Sequence, residues 1–216
     1  MDDILLMKFG SYEYMISLLR EGIIFCNTLD YFTREEVKAN KQLADKDETC
    51  FQMKFLGESI LKLTPENGEP ITLNLDSAQF KEFGNTPLYN VYCMFGLRIS
   101  KSLNEPKAMY HPDLTDFGTH FVLIQNIPEF FCRLDNELLK LPYKFNRRFV
   151  EYKDFLNFTG IKTAFQKNKS FEHQNEYRLL IETKSSEPLI IRLGNLEDIA
   201  SIHEAKKEVL FTAHHL

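Results

Sequence analysis

The stretch that decides the fold is ILLMKFGSYEYMISLLREGIIFCN, residues 4–27. It opens with an apolar run typical of a buried strand, and Ser11 then stands where a helix N-cap belongs. Apolar side chains follow at helical spacing until Gly22, a residue type that commonly ends helices because it tolerates a left-handed backbone. A second apolar run, residues 23–26, restarts as a strand. The stretch therefore predicts a strand, a helix and a strand in succession.

A second, more polar helix is expected after this unit. Asp30 is a suitable N-cap, and the helix would run from Tyr31 to about Gln42. It leads into the charged run 45–49, Asp-Lys-Asp-Glu-Thr. A run of this kind is usually a solvated loop, so we expect these side chains to face water.

Most of the remaining elements are predicted to be strands. Apolar residues alternate with polar ones around Met53, and residues 60–75 are typical of a hairpin. Residues 188–192 are expected to pair with the strand 177–183 across a short turn. Further strands are predicted at 88–99, 120–125 and 149–152, with a helix beginning near Pro128. Because no repeat, low-complexity tract or linker interrupts the chain, we expect one α+β domain over residues 1–216, with mixed or antiparallel sheets.

Composition narrows the class of protein. The 216 residues are 44% hydrophobic and 26% charged, as in a single folded domain. No apolar stretch approaches the roughly 18 to 20 residues that a membrane helix needs, and the start Met-Asp-Asp is acidic where a secretory signal is basic. We therefore expect a cytoplasmic protein with no membrane contact. A net charge of -5 argues against a protein that binds nucleic acid over its whole surface. It is compatible with a local basic patch.

Several familiar sites are missing from the sequence. It contains no GxxxxGK, GxGxxG, HExxH or GxSxG motif. The four cysteines, at positions 26, 50, 93 and 132, are far apart and form no CxxC pair. They are expected to be reduced, buried thiols rather than zinc ligands.

The densest polar cluster beside an apolar strand is SFEHQNEYR, residues 170–178. Gln174, Glu176 and Arg178 share parity, so an extended chain would point all three side chains to one face. Two interpretations stay open. Glu176 and Arg178 could form an ion pair on the solvated face of an edge strand, or the three side chains could line a cleft that holds a carboxylate beside two hydrogen-bonding groups.

Two segments resemble ADP-ribosyltransferases. The order strand, helix, strand that begins with Lys8-Phe9-Gly10-Ser11 is similar to the first β-α-β unit of that family, and Gln174-x-Glu176 at the head of a strand is similar to its Gln/Glu-x-Glu element. Lys8 stands where the family usually has Arg or His. The whole chain also resembles a widespread bacterial family of unknown function, whose members share the N-terminal segment and a late "Phe-x-x-Gln-x-Glu-Tyr-Arg" motif.

The resemblance implies a fold, a reaction and a set of site residues. The fold would be ADP-ribosyltransferase-like, and NAD would be the substrate that donates ADP-ribose. Glu176 would stabilise the cationic ribose as nicotinamide departs, and Gln174 would orient the acceptor. For the family's central catalytic element, Tyr31 and Thr28 are both candidates, and Tyr31 is the one assigned a catalytic role. The resemblance assigns NAD binding to a second set of residues, Lys8, Phe9, Ser11, Thr28 and Arg178.

The implied partners are a nucleic acid or protein acceptor and, for a toxin or phage-defence effector, an antitoxin. Two other functions remain open from the sequence. One is a nucleotide- or partner-binding module that keeps the fold without catalysis. The other is a nuclease that holds a divalent ion through Asp45, Asp47 and Glu48.

Overall fold

The computed structural model describes residues 3–34, 44–84, 88–99, 107–108, 110–207 and 211–212. They form one α+β domain whose sheets are mostly antiparallel, which confirms the predicted class. No helix within these ranges is long and apolar enough to cross a membrane.

The strands are, in chain order, β1 (Asp3–Gly10), β2 (Ile23–Thr28), β3 (Cys50–Leu56), β4 (Ser59–Leu63), β5 (Ile71–Leu75), β6 (Ala78–Phe83), β7 (Tyr89–Ile99), β8 (Lys107–Ala108), β9 (His120–Ile124), β10 (Lys144–Phe149), β11 (Glu151–Lys153), β12 (Gly160–Ile161), β13 (Gln166–Asn168), β14 (Glu176–Glu182), β15 (Leu189–Arg192), β16 (Ala200–Glu204) and β17 (Phe211–Thr212). The α-helices are α1 (Tyr12–Glu21) and α2 (Ile127–Leu138). Short 3₁₀ helices cover Leu29–Thr33, Pro112–Phe117 and Lys169–Gln174.

The N-terminal unit is β1, α1 and β2, as predicted. The Ser11 hydroxyl caps α1 by accepting a hydrogen bond from the Tyr14 backbone N–H at 3.4 Å. Gly22 ends the helix with a left-handed backbone at φ 62°, a conformation that favours glycine. The helix buries one apolar face against the main sheet, comprising Met15, Leu18 and Leu19.

The main sheet has eight strands in the order β10-β14-β7-β1-β9-β16, and β2 joins it by pairing with β7 and β15. The predicted central strand, β7, lies in the middle of this sheet, as expected from its apolar residues at both parities. Side chains from α1 and α2 pack with the sheet in the largest hydrophobic cluster, which includes Leu6, Ile24, Phe130 and Leu134. This core holds the strands that carry the candidate site.

The main sheet opens beside β7. One edge of β7 pairs with β14 over residues 89–95. The other edge pairs with β2 at Asn90 and Val91 and with β1 from Phe95 to Ile99. Between these two stretches, residues 92–94 pair with neither β1 nor β2. The ends of β1 and β2 therefore diverge from each other along β7 and leave a gap in the sheet.

Two expectations about pairing and helices are wrong. The strand β15 pairs with β2, with Leu189 opposite Cys26, and not with β14. Both edges of β14 are already occupied, by β7 and β10, so no edge remains for β15. The helix expected from Tyr31 begins as the 3₁₀ helix Leu29–Thr33, with Thr28 at its N-cap instead of Asp30. The later part of that expectation, residues 35–43, lies outside the described residues.

Candidate functional site

A cavity of about 590 Å³ lies at the opening of the main sheet. Residues 8–11 line it from β1 and the start of α1, and Gln174, Glu176 and Arg178 line it from the other side of β7. More than 160 residues of chain separate these two groups. The chain path thus brings the two segments that resemble ADP-ribosyltransferases to one cavity.

Glu176 and Arg178 are interior residues, and the interpretation of a solvated edge strand is wrong. Their strand, β14, lies between β7 and β10 in the main sheet. Glu176 is 5% exposed and Arg178 2% exposed. Burying two charges at these positions is costly unless each is paired and hydrogen-bonded.

The Glu176 carboxylate meets that requirement through two cationic partners. It accepts a hydrogen bond from Arg178 Nε at 2.5 Å, and Lys167 Nζ lies 3.4 Å from its second oxygen. Burial on its own raises the pKa of Glu176, but the charges of Arg178 and Lys167 outweigh it and hold that pKa well below its usual range. Glu176 is therefore ionised at neutral pH.

Arg178 and Lys167 extend the pairing into a buried network. Arg178 also donates to the Glu48 carboxylate and, at 2.5 Å, to the Ala164 carbonyl. Lys167 donates to Gln174 Oε1 at 2.8 Å. The network thus connects two segments to strand β14: the turn before β3, and the segment around β13.

The charged run 45–49 is not a solvated loop, which corrects the expectation from its composition. Asp45, Asp47 and Glu48 are all buried. Asp47 pairs with Lys81 at 2.8 Å and Glu48 with Arg178, so their counter-charges come from distant parts of the chain. Over the described ranges, no three or more His, Cys, Asp or Glu side chains are grouped so that they could hold a metal ion.

Lys8 places a cation at the gap in the sheet. Its ammonium donates a hydrogen bond to the Cys93 backbone carbonyl at 2.7 Å and lies 4.6 Å from the centre of the Tyr92 ring. Burial lowers the pKa of this ammonium. No carboxylate of the described residues lies within 4.0 Å of it. Lys8 is thus a cation in the cavity wall without an ion-pair partner in the described part of the chain.

Gln174 reaches the cavity by a different backbone path from the one predicted. It is the last residue of a 3₁₀ helix and not part of the strand. Asn175 then adopts a left-handed backbone at φ 41°, which asparagine tolerates better than most residues, and β14 begins at the next residue. This turn sets Gln174 and Glu176 on the same cavity although they belong to different elements.

Of the aromatic and hydroxyl residues that the sequence resemblance assigned to the site, three line the cavity and one does not. Phe9, Ser11 and Tyr31 line the cavity, whereas Thr28 is buried outside its wall. Phe9 also packs in the core, edge-on to Tyr110 with 5.0 Å between ring centres.

Sequence reasoning missed Glu48 and Lys167 as residues of this site, although both line the cavity. Glu48 comes two residues before the buried start of β3, which was the available signal that its run enters the interior. Lys167 had no comparable signal. Comparisons of the chain with protein-family models, with curated proteins and with solved structures find no match, so the function has to be argued from this site.

Proposed function

We propose that this protein is an NAD-dependent ADP-ribosyltransferase with an ADP-ribosyltransferase-like fold, and that the cavity at the opening of the main sheet is its active site. The observation that carries the proposal is the meeting of Lys8 and Ser11 with Gln174 and Glu176 around one cavity. Its volume of about 590 Å³ falls within the range of roughly 300–1,000 Å³ common for cofactor sites.

The charges of the cavity suit a phosphate-bearing substrate. Its charged lining residues are three cations, Lys8, Lys167 and Arg178, and two carboxylates, Glu48 and Glu176. One positive charge is therefore in excess among the described lining residues. Lys8, which lacks an ion-pair partner there, is the natural contact for a phosphate oxygen of NAD, as a point charge without the fork of an arginine.

Glu176 would supply the negative charge that stabilises the ribose cation during the reaction. As the bond between nicotinamide and ribose C1′ breaks, its electron pair leaves with nicotinamide and positive charge develops on the ribose. A fixed carboxylate in a poorly solvated site stabilises that charge more in the transition state than in the ground state. The acceptor's lone pair then forms the new bond to C1′, and the acceptor loses a proton. Arg178 and Lys167 keep Glu176 ionised and oriented.

Gln174 and Tyr31 would position the reactants. Gln174, held by Lys167, offers its amide to the acceptor group. Tyr31 lies in the cavity wall, edge-on to the Phe32 ring at 5.4 Å and with the Arg34 guanidinium 5.9 Å from its ring centre, and its ring would contact nicotinamide. The acceptor would be a nucleic acid or a protein, as for a toxin or phage-defence effector that an antitoxin holds in check.

Labelled NAD tests the proposal. The protein is incubated with NAD that carries label in its adenylate phosphate, together with RNA, DNA or a protein extract. Transfer of label to one acceptor class, with release of nicotinamide, supports the proposal. Hydrolysis or binding without transfer contradicts it.

A catalytically inactive nucleotide-binding module is the second candidate, and one observation favours it. The Glu176 carboxylate already contacts Arg178 and Lys167, so its charge is largely compensated inside the protein. In that case the cavity would bind NAD or a related nucleotide by calorimetry, and no acceptor would become labelled.

A further inference from the structure

Two aromatic side chains line the cavity while remaining open to solvent. Tyr14 on α1 is 75% exposed and Phe25 on β2 is 48% exposed, yet both contribute to the cavity wall. Glu176 and Arg178, which line the same cavity, are almost fully buried. This difference in exposure gives the cavity an axis, from a buried ionic end to a solvent-exposed aromatic end.

The local structure fixes both rings at that exposed end. On α1, Met15 and Leu18 are buried in the core, whereas Tyr14, which also lines the cavity, is exposed to solvent. On β2, side chains alternate between the two faces, so Cys26 is buried while Phe25 points outward. Both rings are therefore held by the backbone of regular elements.

Among the described residues, neither ring has a hydrogen-bonded or aromatic partner that would explain its position. In the described part of the chain, the side chains of Tyr14 and Phe25 make no hydrogen bond and no contact with another aromatic ring. By contrast, Tyr12 on the same helix packs against His120 at 5.0 Å between ring centres and does not line the cavity. Exposed apolar rings beside a cavity gain free energy when a flat ligand covers them.

We propose that Tyr14 and Phe25 form the subsite that stacks on the adenine ring of NAD, at the exposed end of the cavity. This inference rests on the proposed function, because it assumes that the nicotinamide ribose lies at the Glu176 end. A dinucleotide carries two ring systems joined by a pyrophosphate, which matches a cavity with an ionic end and an aromatic end. Stacking on an aromatic side chain is sequence-tolerant and strong enough to change affinity about tenfold when the ring is removed.

The test compares ligands that differ by the adenine ring. Binding of NAD, ADP-ribose and nicotinamide mononucleotide is measured by calorimetry for the wild type, Tyr14→Ala and Phe25→Ala. We expect each variant to bind NAD and ADP-ribose about tenfold more weakly and to bind nicotinamide mononucleotide unchanged. Unchanged binding of NAD, or an equal loss for all three ligands, would overturn the subsite.

Matched controls exist for both substitutions. Tyr12→Ala removes an exposed ring from the same helix, and Ile190→Ala removes an exposed side chain from β15 directly opposite Phe25. Neither residue lines the cavity, so both controls should bind NAD as the wild type does. Thermal melting verifies folding, and Tyr14→Phe, which keeps the ring, should retain NAD affinity.

The same measurements separate failure of the subsite from failure of the function. If the wild type binds neither NAD nor ADP-ribose, the proposed function and the subsite both fall. If the wild type binds NAD and the Tyr14 and Phe25 variants bind it equally well, only the subsite falls. Normal NAD affinity combined with weaker transfer to nucleic acid would assign the rings to the acceptor, and that result also overturns the subsite.

Discussion

The ammonium of Lys8 donates a hydrogen bond to the backbone carbonyl of Cys93 at 2.7 Å. Cys93 belongs to the three residues of β7, 92–94, that pair with neither β1 nor β2. A lysine side chain thus satisfies a carbonyl at the point where the sheet opens. The same side chain contributes the cation that has no ion-pair partner among the described residues. Lys8 therefore has two roles: it stabilises the sheet where it opens, and it provides a positive charge in the cavity wall.

Replacing Lys8 by methionine should weaken NAD binding more than it weakens folding. The substitution keeps the side-chain length but removes the charge that would meet a phosphate, and a hydrogen bond to a charged group contributes about 1.5–3 kcal/mol. We expect affinity for NAD to fall at least tenfold by calorimetry. Lys54→Met, on the exposed face of β3, is the control. Equal affinity in Lys8→Met and wild type would remove Lys8 from the binding site.

Glu176→Gln should abolish transfer of ADP-ribose, since the amide keeps the shape but loses the charge that meets the ribose cation. It should also lower the free energy of unfolding by about 1–3 kcal/mol, because Arg178 loses one of its two carboxylate partners and keeps Glu48. Transfer is therefore assayed well below the melting temperature of the variant. Glu182→Gln, on the same strand and outside the cavity wall, should retain activity. Full activity of folded Glu176→Gln would refute its catalytic role.

The buried ion pairs should make stability fall in acid. The pKa values of Glu48 and Glu176 are held below the usual 4.5, so their contribution is present above about that pH and is lost as the pH falls through the folded-state values. Glu48→Gln should flatten the decline of melting temperature between about pH 5 and pH 3. Melting curves of this variant and of Glu182→Gln as control provide the measurement. A decline as steep as that of the wild type would show that the Glu48 pair is not responsible.

Asp45 should have the opposite effect on stability in acid from Glu48 and Glu176. Burial, followed by the nearby charge of Glu48, raises the pKa of Asp45, so its ionised form is disfavoured in the folded state. Acidification through the raised pKa relieves that cost and partly offsets the loss from the other carboxylates. Asp45→Asn removes the offset and should make the acid decline of melting temperature steeper than in the wild type. A shallower decline would contradict the assigned direction.

Gly118→Ala should disturb the cavity through the backbone of β1. A Cβ atom at Gly118 would lie 2.1 Å from the Gly10 carbonyl carbon, so β1 would have to shift. We expect a loss of about 1–3 kcal/mol in the free energy of unfolding, measured by denaturant titration. Gly57→Ala, whose Cβ would meet nothing within 4 Å, should change stability by less than about 0.5 kcal/mol. A neutral Gly118→Ala would show that this contact tolerates a methyl group.

Local sequence signals were sufficient for much of the secondary structure. Ser11 and Gly22 mark the two ends of α1, and the apolar runs on either side become β1 and β2. The hairpin of β4 and β5 and the central position of β7 also followed from periodicity and residue type. These features depend on neighbours within a few residues, which a pattern can show.

Tertiary structure alone decided what the polar residues do. Parity placed Glu176 and Arg178 on one face, but only the position of β14 between β7 and β10 turns that face into a buried cavity wall. The charged run 45–49 is polar by composition and still enters the interior, because Arg178, 130 residues after Glu48, supplies its counter-charge there. A charge is solvated or buried according to the partners that the chain path brings to it, and those partners are too distant in sequence for any local pattern to reveal.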